Sequence, residues 1–207
     1  MRKWFYCGVK NVKKTTNNTV TTVIALVTLA VLLIGGYWYL NQREKSRDIE
    51  TLTEVQILLE KDLDNFYPST PSAVVSLYAR IMQCIYKENI TETDLQGLVS
   101  MQQVLFDEQL LLVNPFDTFY ANALTEWNKF KESGMIFMGY QVSRSSSVET
   151  WKKDGLEYAS LVASFSLRAE GEIGADYQEF LLRKNNQNQW KILGWKTVKP
   201  QEIELEP

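Results

Sequence analysis

Histidine is absent from the 207 residues. Without it there is no Ser-His-Asp or Cys-His nucleophilic machinery, no His-ligated zinc, and no side chain that titrates unaided near neutral pH. Cysteine is nearly absent too, with only Cys7 and Cys84, so no CxxC redox or zinc motif can form. No glycine-rich phosphate loop and no acidic metal cluster occurs; Gly171-Glu172-Ile173-Gly174 reads as a turn. A surplus of positive charge is also missing: 22 Lys+Arg stand against 25 Asp+Glu, a formal charge of −3. Nucleic-acid binding needs excess cations to displace counterions from phosphates, so it is not expected here. Nor is any cofactor.

The −3 is a sum over two very different stretches. Residues 1–19 hold Arg2, Lys3, Lys10, Lys13 and Lys14 and no acid, which leaves 17 basic and 25 acidic groups, or −8, on the other 188 residues. Between them, Thr15 to Gln42 carries no charge at all. Inside that window Val20–Leu40 has eleven Val, Ile or Leu in 21 residues, and at roughly 1.5 Å per residue a helix of that length crosses a hydrocarbon core of about 30 Å. Tyr37, Trp38 and Tyr39 close the run, where amphipathic rings prefer the headgroup layer. Five cations precede the segment, whereas Arg43, Lys45 and Arg47 after it are interleaved with Glu44, Asp48 and Glu50. The positive-inside rule therefore predicts a single-pass protein of the cell membrane with a cytoplasmic N-terminus and an extracytoplasmic C-terminal part. A cleaved signal peptide fits less well, because the run exceeds an ordinary h-region and ends in bulky aromatics rather than small residues. In this topology Cys7 and Cys84 lie on opposite sides of the membrane, and Cys84 reads as a small buried hydrophobe in a helix.

Residues 41–207 suffice for one domain. Arg43–Asp64 reads as a helix leading from the membrane, apolar at 49, 52, 55, 59 and 63, either a short stalk or, preferably, the first helix of the domain. Thr70-Pro71 then caps and starts a second, with an apolar stripe of Val74, Leu77, Tyr78, Ile81 and Ile85. Thr91 to Asp94 forms a capping box for a third, reaching about Phe106. Asn114-Pro115 opens a fourth, with Phe116, Phe119, Tyr120, Ala123, Trp127 and Phe130 on one face and a stop at Gly134. Beyond it the period changes to 2. Ile136–Val148, Leu156–Arg168, Ala175–Arg183 and Gln189–Val198 read as strands, joined by turns at Lys152–Gly155, 169–174 and 184–188. The expected fold class is α+β: a transmembrane helix, then a cone-like domain of three to four helices packed on a curved antiparallel sheet of about four strands. The boundaries are 1–19 for the basic tail, 20–40 for the span, 41–66 for the juxtamembrane helix, 67–198 for the domain and 199–207 for an acidic tail.

The end of the chain, Glu179-Phe180-Leu181-Leu182-Arg183-Lys184 and Gln189-Trp190-Lys191-Ile192-Leu193-Gly194-Trp195, resembles the last hairpin of the nuclear-transport-factor-2-like superfamily of cone-shaped α+β domains. With the Tyr67–Tyr78 stretch and Leu105-Phe106-Asp107-Glu108, it resembles an uncharacterised family of clostridial single-pass membrane proteins, over roughly residues 45–197 plus the anchor. The superfamily implies either an acid or base in the mouth of the cone, a ligand cavity, or a scaffold. The layout is also similar to bitopic cone-fold components of type IV secretion and conjugation machines.

Two functions follow as expectations. The first is a membrane-anchored protein-interaction or scaffold module of the cell envelope, partnered by an envelope protein or by itself, without catalysis. The second is an extracytoplasmic small-ligand binder or isomerase-like protein using a cavity carboxylate. Glu179 is the candidate there, flanked at strand spacing by Tyr177 and Leu181, although a solvated carboxylate near Arg183 or Lys191 is the plainer reading. Trp127, Tyr140, Tyr158, Tyr177 and Trp195 are candidate cavity lining, or else core. Asp107 and Glu108 read as surface charges, and Asp117 as a first-turn anion of the fourth helix.

Overall fold

The computed structural model describes residues 53–199. The candidate span 20–40, its flank Tyr37, Trp38 and Tyr39, the cations Arg2, Lys3, Lys10, Lys13 and Lys14, Cys7 and the tail beyond residue 199 all lie outside the described residues. Among the described residues no helix is long and apolar enough to cross a membrane. The described residues group into one unit.

Helix α1 is Glu54–Leu59, started by a capping box in which Thr53 accepts from the Gln56 amide and Gln56 reaches back to Thr53. It stops before the expected Asp64, because Asp62 turns the chain by accepting from the Asp64 and Asn65 amides. Leu58, rather than Leu59, is therefore the residue driven into the core. Helix α2, Pro71–Lys87, starts as its sequence requires: the Thr70 side chain accepts from the Ala73 amide and Pro71 occupies the first turn. Its whole predicted stripe is buried, together with Val75, Ala79 and Cys84. Glu54 of α1 pairs with Arg80 of α2. Helix α3, Glu92–Val104, carries the reciprocal Thr91–Asp94 box.

It ends two residues short of Phe106, for a tertiary reason. The chain straightens there and forms a parallel bridge with the last strand: Ile192 N–H donates to the Leu105 carbonyl and Asp107 N–H to the Ile192 carbonyl, each at 2.8 Å. Asp107 then caps α4, Glu108–Val113, a helix the sequence reading did not include. Helix α5, Phe116–Ser133, closes at Gly134 with φ 67°, a left-handed position that suits glycine.

Five strands follow: β1 Ile136–Val142, β2 Glu149–Lys153, β3 Leu156–Ala169, β4 Glu172–Lys184 and β5 Trp190–Val198. All pairings are antiparallel, in the order β1-β3-β4-β5, with β2 beside the first half of β3 and β1 beside the second. The single strand expected over Ile136–Val148 is thus two. At the break the Ser143 hydroxyl replaces a ladder carbonyl, accepting from the Val162 amide and donating to the Val162 carbonyl, and a 3-10 turn at Ser145–Ser147 follows. Lys152 and Lys153, expected in a turn, belong to β2; the turn is the two-residue Asp154-Gly155, with φ 52° and 78°.

One face of the sheet packs on the helices. Ala159, Leu161, Ala163 and Phe165 of β3, Phe180 and Leu182 of β4 and Ile192 of β5 are buried against the α2 stripe. At about 25 cal/mol per Å² of apolar surface removed from water, this continuous layer is the main source of stability in a domain without a disulfide. Cys84 sits within it, and burial pushes its thiol up to about 11. In a Cys7→Ser chain the remaining thiol is therefore expected to be silent to an aromatic disulfide reagent at pH 8 and to react fully once the domain is unfolded in guanidinium.

Candidate functional site

A domain with helices packed on one side of a sheet has two places to put a function, the space between sheet and helices and the opposite face of the sheet. The first is occupied by rings. Tyr78 of α2 meets Phe180 edge-on at 5.4 Å and Trp195 at 5.6 Å. Phe106 continues the cluster to Trp195 at 5.8 Å and to Phe119 of α5 at 5.3 Å. Such pairs add about 0.5–1.5 kcal/mol each beyond the area they bury. The same apolar surroundings raise the Tyr78 phenol far above its usual range by desolvation.

The strand register places a second set of side chains in rows on the other face. Trp151, Tyr158, Arg183 and Lys191 form one row across β2, β3, β4 and β5; Val162, Glu179 and Lys196 form another, and Gln141, Ser164, Tyr177 and Val198 a third. Large apolar groups here are half-buried or exposed, and Trp151, 40% exposed, stacks on Tyr158 at 5.8 Å and 12°.

Arg183 and Glu179 on this face are neutralised in place. Arg183 holds Asp107 by two hydrogen bonds, Nε to Oδ2 at 2.9 Å and Nη2 to Oδ1 at 2.5 Å. The Asp107 side chain is only 4% exposed, so the expectation of a surface charge is corrected: the bridge to Ile192 brings this carboxylate to the sheet. Arg183 is held well above its ordinary value first by that hydrogen bond. Glu179 accepts from the Ser160 hydroxyl at 2.8 Å and pairs with Lys196 at 2.8 Å, not with Arg183 or Lys191. Its carboxyl is held below the usual glutamate range, chiefly by the Lys196 contact and then by Ser160. A general base in a desolvated cavity needs the opposite shift. Lys191 donates instead to the Val104 carbonyl at 2.8 Å and lies over the Tyr67 ring, and burial lowers its pKa.

The five candidate lining residues are not brought together. Tyr158 and Tyr177 stand on the open face of the sheet, Trp195 at the rim of the ring cluster, and Tyr140 packs half-buried against the core from β1. Trp127 lines a depression on the helical side of the domain. Asp117 lies in the first turn of α5, as expected. The sequence reading missed the Asp107–Arg183 pair, for which 76 residues of separation leave no local signal. Among the described residues no group of three or more His, Cys, Asp or Glu could hold a metal ion.

A family model described as a domain of unknown function, DUF6715, matches residues 10–195. No curated protein matches the chain. Among solved structures, the solution structure of TraH from the Gram-positive conjugative plasmid pIP501 aligns at a TM-score of 0.35 and 13% identity, over 65% of this chain and 98% of that one.

Two outcomes test this electrostatic arrangement. Asp107→Asn keeps the cap of α4 but leaves the Arg183 charge without its partner, and denaturant unfolding at neutral pH is expected to show a loss of about 3 kcal/mol, partly recovered by adding Arg183→Leu. For Glu179 the folded pKa lies below the ordinary value, so its stabilisation is complete above that value and is lost as pH falls through the folded one. Wild type is therefore expected to lose stability faster than Glu179→Gln over roughly pH 5 to 2, measured by thermal unfolding across that range.

Proposed function

The chain belongs to the DUF6715 family, and we propose that it is a membrane-anchored association module of the cell envelope. In this reading residues 20–40 span the membrane once, residues 1–19 stay in the cytoplasm, and the α+β domain stands outside as a nuclear-transport-factor-2-like cone. That placement rests on the charge-free apolar run and on the five cations before it. The domain docks an envelope protein, or a second copy of itself, and performs no catalysis.

The observation that carries this reading is the division of labour between the two faces of the sheet. The helix-side face is packed with Tyr78, Phe106, Phe180 and Trp195, where a ligand-binding cone needs space. The other face offers Trp151, Tyr158, Tyr177, Leu181 and Arg183 around ion pairs that are already formed. Aromatic side chains and arginine are the residues enriched in protein interfaces, and pre-formed ion pairs lower the desolvation cost of docking. Glu179, paired with Lys196 and held ionised, serves register rather than proton transfer.

The experiment is cross-linking of intact cells with a membrane-impermeant reagent. The expected result is a discrete cross-linked species containing this chain, lost in a Trp151→Asp, Leu181→Asp variant whose thermal stability is close to wild type. A chain that stays monomeric and uncaptured from outside, or a species unchanged in the variant, sinks the proposal.

A further inference from the structure

On the helical side, away from the sheet, lies a half-open depression of about 270 Å³. The end of α2, the loop that follows it and the second half of α5 form its walls. Tyr86, Trp127 and Phe130 supply aromatic surface, and Glu88, Asn89 and Lys131 the polar groups. The volume is just under the range of about 300–1,000 Å³ usual for drug-sized ligands, which suits a molecule the size of an amino acid.

Its walls are fixed. Trp127 is only 7% exposed, and Tyr86 packs against Phe130 with ring centroids 4.8 Å apart. Gly134, in its left-handed conformation, turns the chain sharply after α5 and brings Met135 into the lining. Glu88 follows α2 in an extended conformation and donates its backbone N–H to the Cys84 carbonyl. Because α2 ends here, its carbonyl pole adds partial negative charge on the Glu88 side.

The polar groups are the informative part. Glu88 and Lys131 carry opposite charges and line the same depression, yet among the described residues neither forms an ion pair, with the other or with any further group. The Lys131 ammonium lies instead 3.3 Å from the centroid of the Trp127 ring, a cation–π contact that orients it over the aromatic wall. The depression is therefore lined by an anion and a cation that do not pair with one another, by an amide and by aromatic rings.

We propose that this depression binds a small zwitterion: a free α-amino acid with an apolar or aromatic side chain, its ammonium at Glu88, its carboxylate at Lys131 and its side chain against Phe130 and Met135. The two charges are complementary to the ligand at a spacing where they do not neutralise one another, so binding completes both. This site is separate from the sheet face and does not depend on the association reading.

Calorimetric titration of the detergent-solubilised full chain with L-phenylalanine tests it. Saturable binding is expected, weakened about tenfold or more by Glu88→Gln or by Lys131→Gln, both at exposed positions where the fold is expected to persist, checked by an unchanged melting temperature. N-acetyl-L-phenylalanine, lacking the ammonium, and L-phenylalaninamide, lacking the carboxylate, are each expected to bind at least tenfold more weakly. Absence of saturable heat with L-phenylalanine and with L-leucine overturns the proposal. So does binding that is indifferent to both substitutions, or in which either blocked derivative equals the parent.

Discussion

Three consecutive residues join the helical half of this domain to its sheet, and most of the arrangement depends on how they meet β5. Leu105 and Asp107 exchange backbone hydrogen bonds with Ile192 on either side of Phe106. Phe106, at the bridge, enters the ring cluster, and Asp107, in an extended conformation after it, lies where Arg183 can reach it. Asp107 also starts α4, so one residue ends a bridge, neutralises a sheet cation and nucleates a helix. The pair is well buried on both sides, where an uncompensated charge costs several kcal/mol. Register between the two halves is consequently hard to change: sliding β5 by one residue removes both backbone bonds and exchanges the faces of its side chains.

From that join the two faces of the sheet acquire different chemistry. β3 is long enough, at 14 residues, to accept both β1 and β2 along one edge and β4 along the other. Its alternation of Ala159, Leu161, Ala163 and Phe165 with Tyr158, Ser160, Val162 and Ser164 is carried across the sheet by the register. Ala159, Leu161, Ala163 and Phe165 all enter the buried layer shared with α2. The polar positions of the other face then find partners laterally, as Ser160 does with Glu179 and Glu179 with Lys196.

Local rules made much of this readable from the residues alone. Thr70-Pro71, the Thr91–Asp94 box and Gly134 act over one helical turn, and each sits where its chemistry requires. The α2 stripe and the β3 alternation were legible because packing imposes a period on the sequence. What escaped depended on distant partners or on competition between similar signals. Helix α3 has two residues beyond Val104 that suit a helix, but Ile192 captures the Leu105 carbonyl and the Asp107 N–H. The run from Ile136 to Val148 has the period of one strand, but a serine hydroxyl takes the place of a carbonyl and breaks it. For the candidate site the same limit applies more strongly. Composition shows an abundance of rings, but whether Tyr158 and Trp195 share a cavity is a question of strand parity and sheet curvature, and they lie on opposite faces.

Charge without histidine gives this domain a particular character. Three of the described carboxylates are lowered by a basic neighbour: Glu54 by Arg80, Glu179 by Lys196, and Glu157 by Lys184 and Lys152. Its buried phenols and thiol are raised away from neutrality by desolvation. Carboxyls are thus displaced downward and phenols and thiol upward, whereas burial lowers Lys191 toward neutrality. With those carboxyls lowered, Glu179 and Glu157 stay ionised for their lysine partners in mildly acidic conditions.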